Sequence, residues 1–329
     1  MSIGLYTGIM GRLLSSLFEF RLGEMRFLKV EVNTFIESLT NQFGTIEDIY
    51  FKEGITGIGW ALEWSVQHQL LKINSDDFLA DIDDILYKDT VYSFPHKISK
   101  QELVWRANYF YRRGISKNKH QNRYRHLCHR ECLFLVLEDI EHIRNNTDTI
   151  ITDNINDVLF LASYFWLLAK IFMLKDQVIE TLFYKLKEEI TYKLETVAKI
   201  NTEEYDTKHL YALIALAEMF TISSRYTRFT YWEQQGKTYT DKLLGKVNKG
   251  KPIDRDYLIE LVLYMLLYTY TKEKKLKDIM NNLLSNIPYN KLPNTFYRGK
   301  GVVDIIGSLL KSPTHIHDTE DLLLLQITN

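Results

Sequence analysis

Four side chains that can bind zinc lie close together in the sequence, at His126, Cys128, His129 and Cys132. Thiolate and imidazole are ligands that zinc prefers. Cys128 and Cys132 are four residues apart, a spacing that places two side chains on one face of a helix. The pattern therefore allows a structural or displaced zinc site. The alternative interpretation is a pair of half-buried cysteines flanked by surface histidines.

The segment that leads to this cluster is strongly basic. No acidic residue occurs from Leu103 to Arg130, and tyrosines are interleaved with the cations. Cationic and aromatic side chains together are typical of surfaces that bind phosphate or carboxylate groups. We therefore predict an anionic partner, an acidic peptide or protein rather than nucleic acid, bound by Arg112, Arg113, Lys117, Lys119, Arg123 and Arg125. Reversing the charges of Arg112, Arg113, Lys117 and Lys119 is expected to slow association roughly tenfold or more and to leave the fold intact, because loop charges contribute little to stability. The alternative is a solvated loop that binds no partner.

A glycine repeat marks the elements that must position these residues. Residues 4–14 read GLYTGIMGRLL and residues 54–62 read GITGIGWAL, so Gly8 and Gly11 recur as Gly54 and Gly57 after 46 residues. Self-similarity at a period of about 20–50 residues is typical of repeat architectures. Two glycines three residues apart at the start of an apolar helix allow a tight turn and close backbone contact with a neighbouring helix.

The rest of the chain has helical periodicity and no alternating strand pattern. Apolar residues from 155 to 169 follow the i, i+3, i+4, i+7 spacing, and residues 178–194 form a more charged second helix. Pairs of this kind recur to give seven units, the last represented by a helix over 297–311. We predict one all-α domain over 1–329, with two concentric helix layers. Four tryptophans at helical spacing are predicted to be core: Trp60, Trp64, Trp105 and Trp166.

Composition excludes some classes of function. The formal net charge of −1 gives no overall attraction to nucleic acid or acidic membranes. The two cysteines are too close in sequence for a disulfide framework, and the first residues lack the basic leader of a signal peptide, so we expect a cytoplasmic protein. The longest apolar run, 158–169, is shorter than the roughly 20 residues that a bilayer requires, so we expect no membrane span.

The glycine motifs, together with GVVDIIGSLLKS at 301–312 and DTEDLLLL at 318–325, resemble the lanthionine synthetase C-like proteins, the family of the lanthipeptide cyclases. The resemblance runs over the whole chain. It implies an α/α toroid in which seven inner helices are surrounded by seven outer helices and Gly-rich turns line one mouth. In active members, two cysteines and a histidine hold a zinc ion there, and the metal activates a peptide cysteine for addition to a dehydrated residue.

The chain departs from this family at the zinc ligands. The segment 249–257, which matches the first ligand, has neither cysteine nor histidine, and the slots of the other two are filled by Tyr297 and Arg298. An arginine guanidinium cannot be deprotonated and does not bind zinc. We therefore expect no zinc at the family site, no other cofactor and no family catalytic residue.

Three functions remain open. The favoured one is a zinc-free, catalytically degenerate scaffold of a ribosomal peptide-modification system, which binds a peptide or a partner enzyme. The second is an active cyclase that adds cysteine thiols to dehydrated residues, with a displaced or partner-completed metal site. The third is a hydrolase or transferase on the same scaffold, whose acid and base would come from Glu53, Asp206 and Asp254, although no pair among them stands out.

Overall fold

The structure is a computed structural model that describes residues 3–21, 34–39, 46–92, 98–117, 122–146, 154–199, 206–247, 256–311 and 319–327. Every regular element in these ranges is helical, which confirms the all-α prediction. Short 3₁₀ turns occur at Phe172–Leu174 and Tyr289–Lys291, and residues 34–39 are helical. The longer elements are α1 (Ile9–Arg21), α2 (Ile55–Gln67), α3 (Ser75–Phe78), α4 (Ala80–Tyr92), α5 (Lys100–Gly114), α6 (Arg123–Asn146), α7 (Ile155–Ile171), α8 (Gln177–Lys199), α9 (Thr207–Thr227), α10 (Thr230–Val247), α11 (Tyr257–Thr271), α12 (Lys274–Asn286), α13 (Lys300–Lys311) and α14 (Glu320–Ile327).

Tertiary contacts divide the chain into two compact units. The first comprises Met1–Thr147 and Tyr289–Ser312, and the second comprises Asp148–Pro288 and Pro313–Asn329. Helix α13 therefore belongs to the first unit, while α14, the next helix along the chain, belongs to the second. The single domain over 1–329 stays a prediction.

In the first unit, α1 contacts both α2 and α13, α2 contacts α5, and α6 packs against α4 and α5. The contact between α1 and α13 brings residues 9–21 and 300–311 together. Helix α2 is buried from Ile55 to Ser65 and α5 from Glu102 to Arg113. In α4, by contrast, more than half of the residues are exposed to solvent. Ser99 caps α5, because its Oγ accepts a hydrogen bond from the N–H of Glu102 at 3.2 Å.

In the second unit, α9 packs between α7 and α11, and α11 contacts α14. Each of the three long apolar helices has a more polar partner: α8 on α7, α10 on α9 and α12 on α11. These are the helix pairs that the periodicity predicts. The first helix of each pair is buried on nearly every side. The second buries one face only, because its remaining positions carry lysine and other charged or polar residues.

The segment Ile155–Leu174, which is α7 with its 3₁₀ turn, is the one helix among the described residues that is long and apolar enough to cross a membrane, with a mean hydropathy of 1.7. Of its most apolar stretch, 72% is buried inside the protein. Lys170 ends the apolar run, and its Nζ donates to Oδ1 of Asp321 in α14 at 2.7 Å. Burial of this kind is also found in core helices of soluble proteins.

Replacing Lys170 by methionine should destabilise the second unit by about 3–5 kcal/mol, because Asp321 is 3% exposed and would keep a buried charge without its counter-ion. The double variant Lys170→Met/Asp321→Leu should recover most of that loss, since it removes both charges. Urea unfolding measures the stability of the single and the double variant. A single variant as stable as the wild type would mean that water already solvates the Asp321 carboxylate.

Candidate functional site

Three turns that precede α1, α2 and α13 meet in the first unit, at residues 3–8, 46–54 and 292–299. We call them the turn cluster. The N–H groups of Leu5 and Tyr6 both donate to the carbonyl oxygen of Lys52 at 3.1 Å. The N–H of Tyr297 donates to the carbonyl oxygen of Tyr6 at 3.4 Å. The last turn of the three is therefore bonded directly to the first.

The three turns close in the same way. At the start of each helix, one N–H donates to the carbonyl oxygen seven residues earlier: Met10 to Ile3 at 3.2 Å, Ile55 to Asp48 at 2.9 Å, and Lys300 to Pro293 at 3.0 Å. A Cβ on Gly11 would overlap the carbonyl oxygen of Leu5, and a Cβ on Gly57 would overlap that of Phe51. Both glycines thus lie against the backbone six residues earlier. The tight turn that the repeat predicts is therefore present, but the close backbone contact is with the turn before each glycine's own helix and not with a neighbouring helix.

Side chains join the turns further. Thr7 donates to Glu53 Oε1 through its N–H at 3.0 Å and through its Oγ1 at 2.9 Å. The rings of Tyr6 and Tyr297 are stacked, with centroids 4.4 Å apart. Burial is the main cause that raises the pKa of Tyr6, and the neighbouring Tyr297 raises it further. Tyr6 is therefore a neutral phenol. The exposed residues of the turn cluster are Thr7, Glu47, Asp48, Tyr50, Lys52, Pro293, Asn294 and Arg298.

Tyr297 and Arg298, which the sequence resemblance predicts at two zinc-ligand positions, form an aromatic and cationic pair. The guanidinium carbon of Arg298 lies 5.3 Å from the centroid of the Tyr297 ring. Arg298 has a left-handed backbone with φ of 46°. The turn residues of the cluster include neither cysteine nor histidine. The slot of the first ligand falls mostly on residues 249–255, which lie outside the described residues.

The residues His126, Cys128, His129 and Cys132 lie on α6, and the two histidines contact groups outside this set. His126 Nδ1 is 3.1 Å from the carbonyl oxygen of Gly114, and His129 Nε2 is 3.5 Å from Asp83 Oδ2. Burial lowers the pKa of His129 to about 4 and raises the pKa of the Cys132 thiol to about 12. Among the described residues, which include all four, no group of three or more such ligands could hold a metal. His129 is also buried, which corrects the expectation of surface histidines.

The predicted basic binding surface needs a correction at two residues. Arg112 and Arg113 lie in α5 and are 5% and 0% exposed, so neither is open to a partner. Lys117 and Arg123 are exposed, and Arg125 is partly exposed with its Nη1 3.6 Å from Asp83 Oδ2. Lys119 lies outside the described residues. The binding role of the exposed cations stays a prediction.

Arg113 instead holds a buried ion cluster, which we call the Arg113 cluster. Its Nη1 donates to Glu63 Oε2 at 2.8 Å, and its Nη2 donates to Asp83 Oδ2 at 2.7 Å and to Asp76 Oδ1 at 3.1 Å. Tyr109 also donates to Asp83 Oδ1, at 2.6 Å. One guanidinium therefore joins α2, α3 and α4 to α5. The acid-free stretch gave no sign of this, since the three carboxylates lie earlier in the sequence.

The three carboxylates considered as acid and base have separate environments. Glu53 accepts from Thr7 in the turn cluster, and Asp206 caps α9 in the second unit, where Oδ1 accepts from the N–H of His209 at 2.7 Å. Asp254 lies outside the described residues. Glu53 and Asp206 thus lie in different units, and each accepts a local hydrogen bond.

Sequence reasoning missed Glu102, which borders the turn cluster. Glu102 lies in the first turn of α5 and is 8% exposed, and burial raises the pKa of its carboxyl to about 7. A signal was available, because Ser99 and Glu102 have the spacing of a capping box. That spacing identifies the helix start but not the surroundings of the carboxyl group.

Comparison with known proteins finds no match to a protein-family model, a curated protein or a solved structure. The function therefore has to be inferred from the residues and their geometry.

Proposed function

We propose that this protein is a zinc-free scaffold of the lanthionine synthetase C-like type, which binds a peptide or partner enzyme of a peptide-modification system. The observation that supports this best is the turn cluster. The glycine motifs that resemble the family at the start of the chain meet the motif that resembles it near the end, and all three turns close by the same backbone hydrogen bond. The free thiols of Cys128 and Cys132 are compatible with a cytoplasmic location.

We also propose that the helices form an α/α toroid. Three observations support it: α1 contacts α13, the apolar first helices contact one another in sequence order within each unit, and each of them in the second unit has a polar partner helix. A ring of helical hairpins requires all three relations.

The binding site that we propose is the exposed side of the turn cluster. Arg298 offers an exposed cation beside the half-buried ring of Tyr297, which is stacked on Tyr6. Thr7 is exposed, and its hydroxyl donates to Glu53. A guanidinium beside an aromatic ring suits a peptide carboxylate. The burial of Arg112 and Arg113 leaves the C-terminal end of α5 with fewer exposed cations than the sequence suggested, so we favour the turn cluster over the basic segment.

The protein as purified should contain well under one equivalent of zinc, because a tyrosine and an arginine fill two family ligand slots. Neither a chelator nor added zinc should shift its melting temperature, since a metal that binds the folded state raises stability by mass action. Elemental analysis and thermal denaturation in parallel measure both quantities. Stoichiometric zinc, lost together with stability on chelation, would contradict the proposal.

The binding proposal is tested with a fluorescent peptide whose first half is rich in Asp and Glu and whose second half carries Ser, Thr and Cys. Three single charge reversals are compared by anisotropy: Arg298→Glu, Arg123→Glu, and Lys275→Glu in the second unit, all at exposed residues. We expect Arg298→Glu to weaken binding roughly tenfold or more and Lys275→Glu to leave it unchanged.

The controls separate the two surfaces. A peptide with Asn and Gln in place of Asp and Glu should bind weakly to every variant. If Arg123→Glu weakens binding and Arg298→Glu does not, recognition lies at the basic segment and the turn cluster is the wrong site. If the wild type does not bind the acidic peptide at all, the proposal of an acidic peptide partner is wrong.

A further inference from the structure

Helix α5 packs on the turn cluster through Trp105, whose ring stacks on Phe51 with the centroids 4.8 Å apart. Glu102 lies three residues before Trp105, on the same face of the helix. Phe51 belongs to the turn 46–54. The Oε1 atom of Glu102 is buried and has no hydrogen-bond partner. A buried carboxylate oxygen without a partner is expensive when ionised, because the charge loses its water and gains no donor in exchange.

The charged groups around Glu102 do not compensate for this burial. Arg106, one helical turn further along α5, and Lys52 favour the ionised form, while Asp48 opposes it. Arg106 is already paired with Asp89 of α4. Tyr6 of the first turn is neutral and lies near enough for Glu102 to raise its pKa. Desolvation is the largest influence on Glu102.

We infer that Glu102 is a proton switch for the turn cluster. With its proton, the neutral carboxyl is tolerated in the buried joint between α5 and the turn 46–54. Without it, the charge draws the side chain towards water and loosens that joint. The same turn holds the first turn through Lys52 and Glu53, so the change reaches the residues that stack on Tyr297. The inference concerns the turn cluster itself and holds whatever partner binds there.

The direction of the effect follows from proton binding. The folded protein keeps the Glu102 proton up to about pH 7, whereas the unfolded chain releases it near the ordinary pKa of 4.5. Stability from this group is therefore fully present below pH 4.5 and is lost as the pH rises through 7. Relative to a variant without the carboxyl, the unfolding equilibrium constant should rise about 70-fold between pH 5 and pH 8.5.

The test compares the full chain with Glu102→Gln and with Glu138→Gln, a control at an exposed glutamate of α6. Two quantities are measured at pH 5 to 8.5: the unfolding constant in urea, and amide exchange of Leu5 and Tyr6 corrected for intrinsic rates. We expect both to increase with pH in the wild type and in Glu138→Gln, and this dependence to disappear in Glu102→Gln. The same pH dependence in all three proteins would overturn the inference.

A second measurement decides the matter if Glu102→Gln does not fold. Carbon-13 NMR of the wild-type Glu102 carboxyl reports its titration directly. A midpoint near pH 7, with chemical-shift changes at Leu5 and Tyr6 that follow the same curve, supports the switch. A midpoint near 4.5 overturns it.

Discussion

Replacing Arg113 by methionine should leave the first unit unable to fold at neutral pH. Glu63, Asp76 and Asp83 are 0%, 6% and 4% exposed and would face one another without their shared cation. Removing one partner of a buried ion pair costs about 3–5 kcal/mol, and here three carboxylates lose the same partner. Because a domain has only about 5–15 kcal/mol of stability, the loss should be visible as missing helix by circular dichroism.

The neighbouring residue provides the control. Arg112 is also buried, and its Nη1 donates to the neutral amide oxygen of Gln67 at 2.9 Å. Arg112→Met should therefore cost far less, about 1–2 kcal/mol, because it leaves a polar group rather than several charges unpaired. Cooperative urea unfolding of Arg113→Met at near wild-type stability would mean that the Arg113 cluster contributes nothing to the fold.

The Arg113 cluster also reverses an expectation from the sequence. Charge reversal at Arg112 and Arg113 was expected to leave the fold intact, on the view that both belong to a solvated loop. A glutamate at position 113 would add a fourth carboxylate to Glu63, Asp76 and Asp83. We now expect that variant to unfold.

Gly57→Ala should have the second large effect, a destabilisation of about 3 kcal/mol. The added methyl group would overlap the carbonyl oxygen of Phe51, a backbone atom that cannot turn aside as a side chain can. Gly11→Ala should behave alike, because its methyl group would overlap the carbonyl oxygen of Leu5. Relief of either overlap must move a turn of the turn cluster.

Gly307 in α13 is the matched control, since a Cβ there would meet nothing within 4 Å. Gly307→Ala should stabilise the protein by about 0.5–1 kcal/mol, because alanine favours the helix interior more than glycine does. Thermal and urea unfolding should therefore show a loss of stability in Gly57→Ala and Gly11→Ala and a gain of stability in Gly307→Ala. If Gly57→Ala also stabilises, the turn 46–54 is not packed against α2 as described.

The helices could be predicted from the sequence because their signals are local. The apolar spacing predicted a helix over 155–169, which extends to Ile171 in the structure, and a helix over 178–194, which lies within α8. All four tryptophans predicted as core are fully buried. The glycine repeat likewise identified two positions where the backbone leaves no room for a side chain.

The roles of the polar residues could not be predicted in the same way. The run from Leu103 to Arg130 looked like a basic surface because the sequence holds no acid there. Its counter-charges come from α2, α3 and α4, so only the fold shows that Arg113 is neutralised. Similarly, Cys128 and Cys132 share helical spacing, but burial of Cys132 raises its pKa and keeps the thiol protonated.

The sequence by itself determined where helices form and where glycine is required, because periodicity and turn geometry depend on residues within a few positions of one another. Tertiary structure alone decided which charges are paired, which side chains are exposed, and that the turns before α1, α2 and α13 meet. Glu102 illustrates the difference: its spacing from Ser99 marks the start of α5, but the desolvation that raises its pKa comes from segments distant in the chain. Burial and charge depend on long-range packing, which residue spacing does not encode.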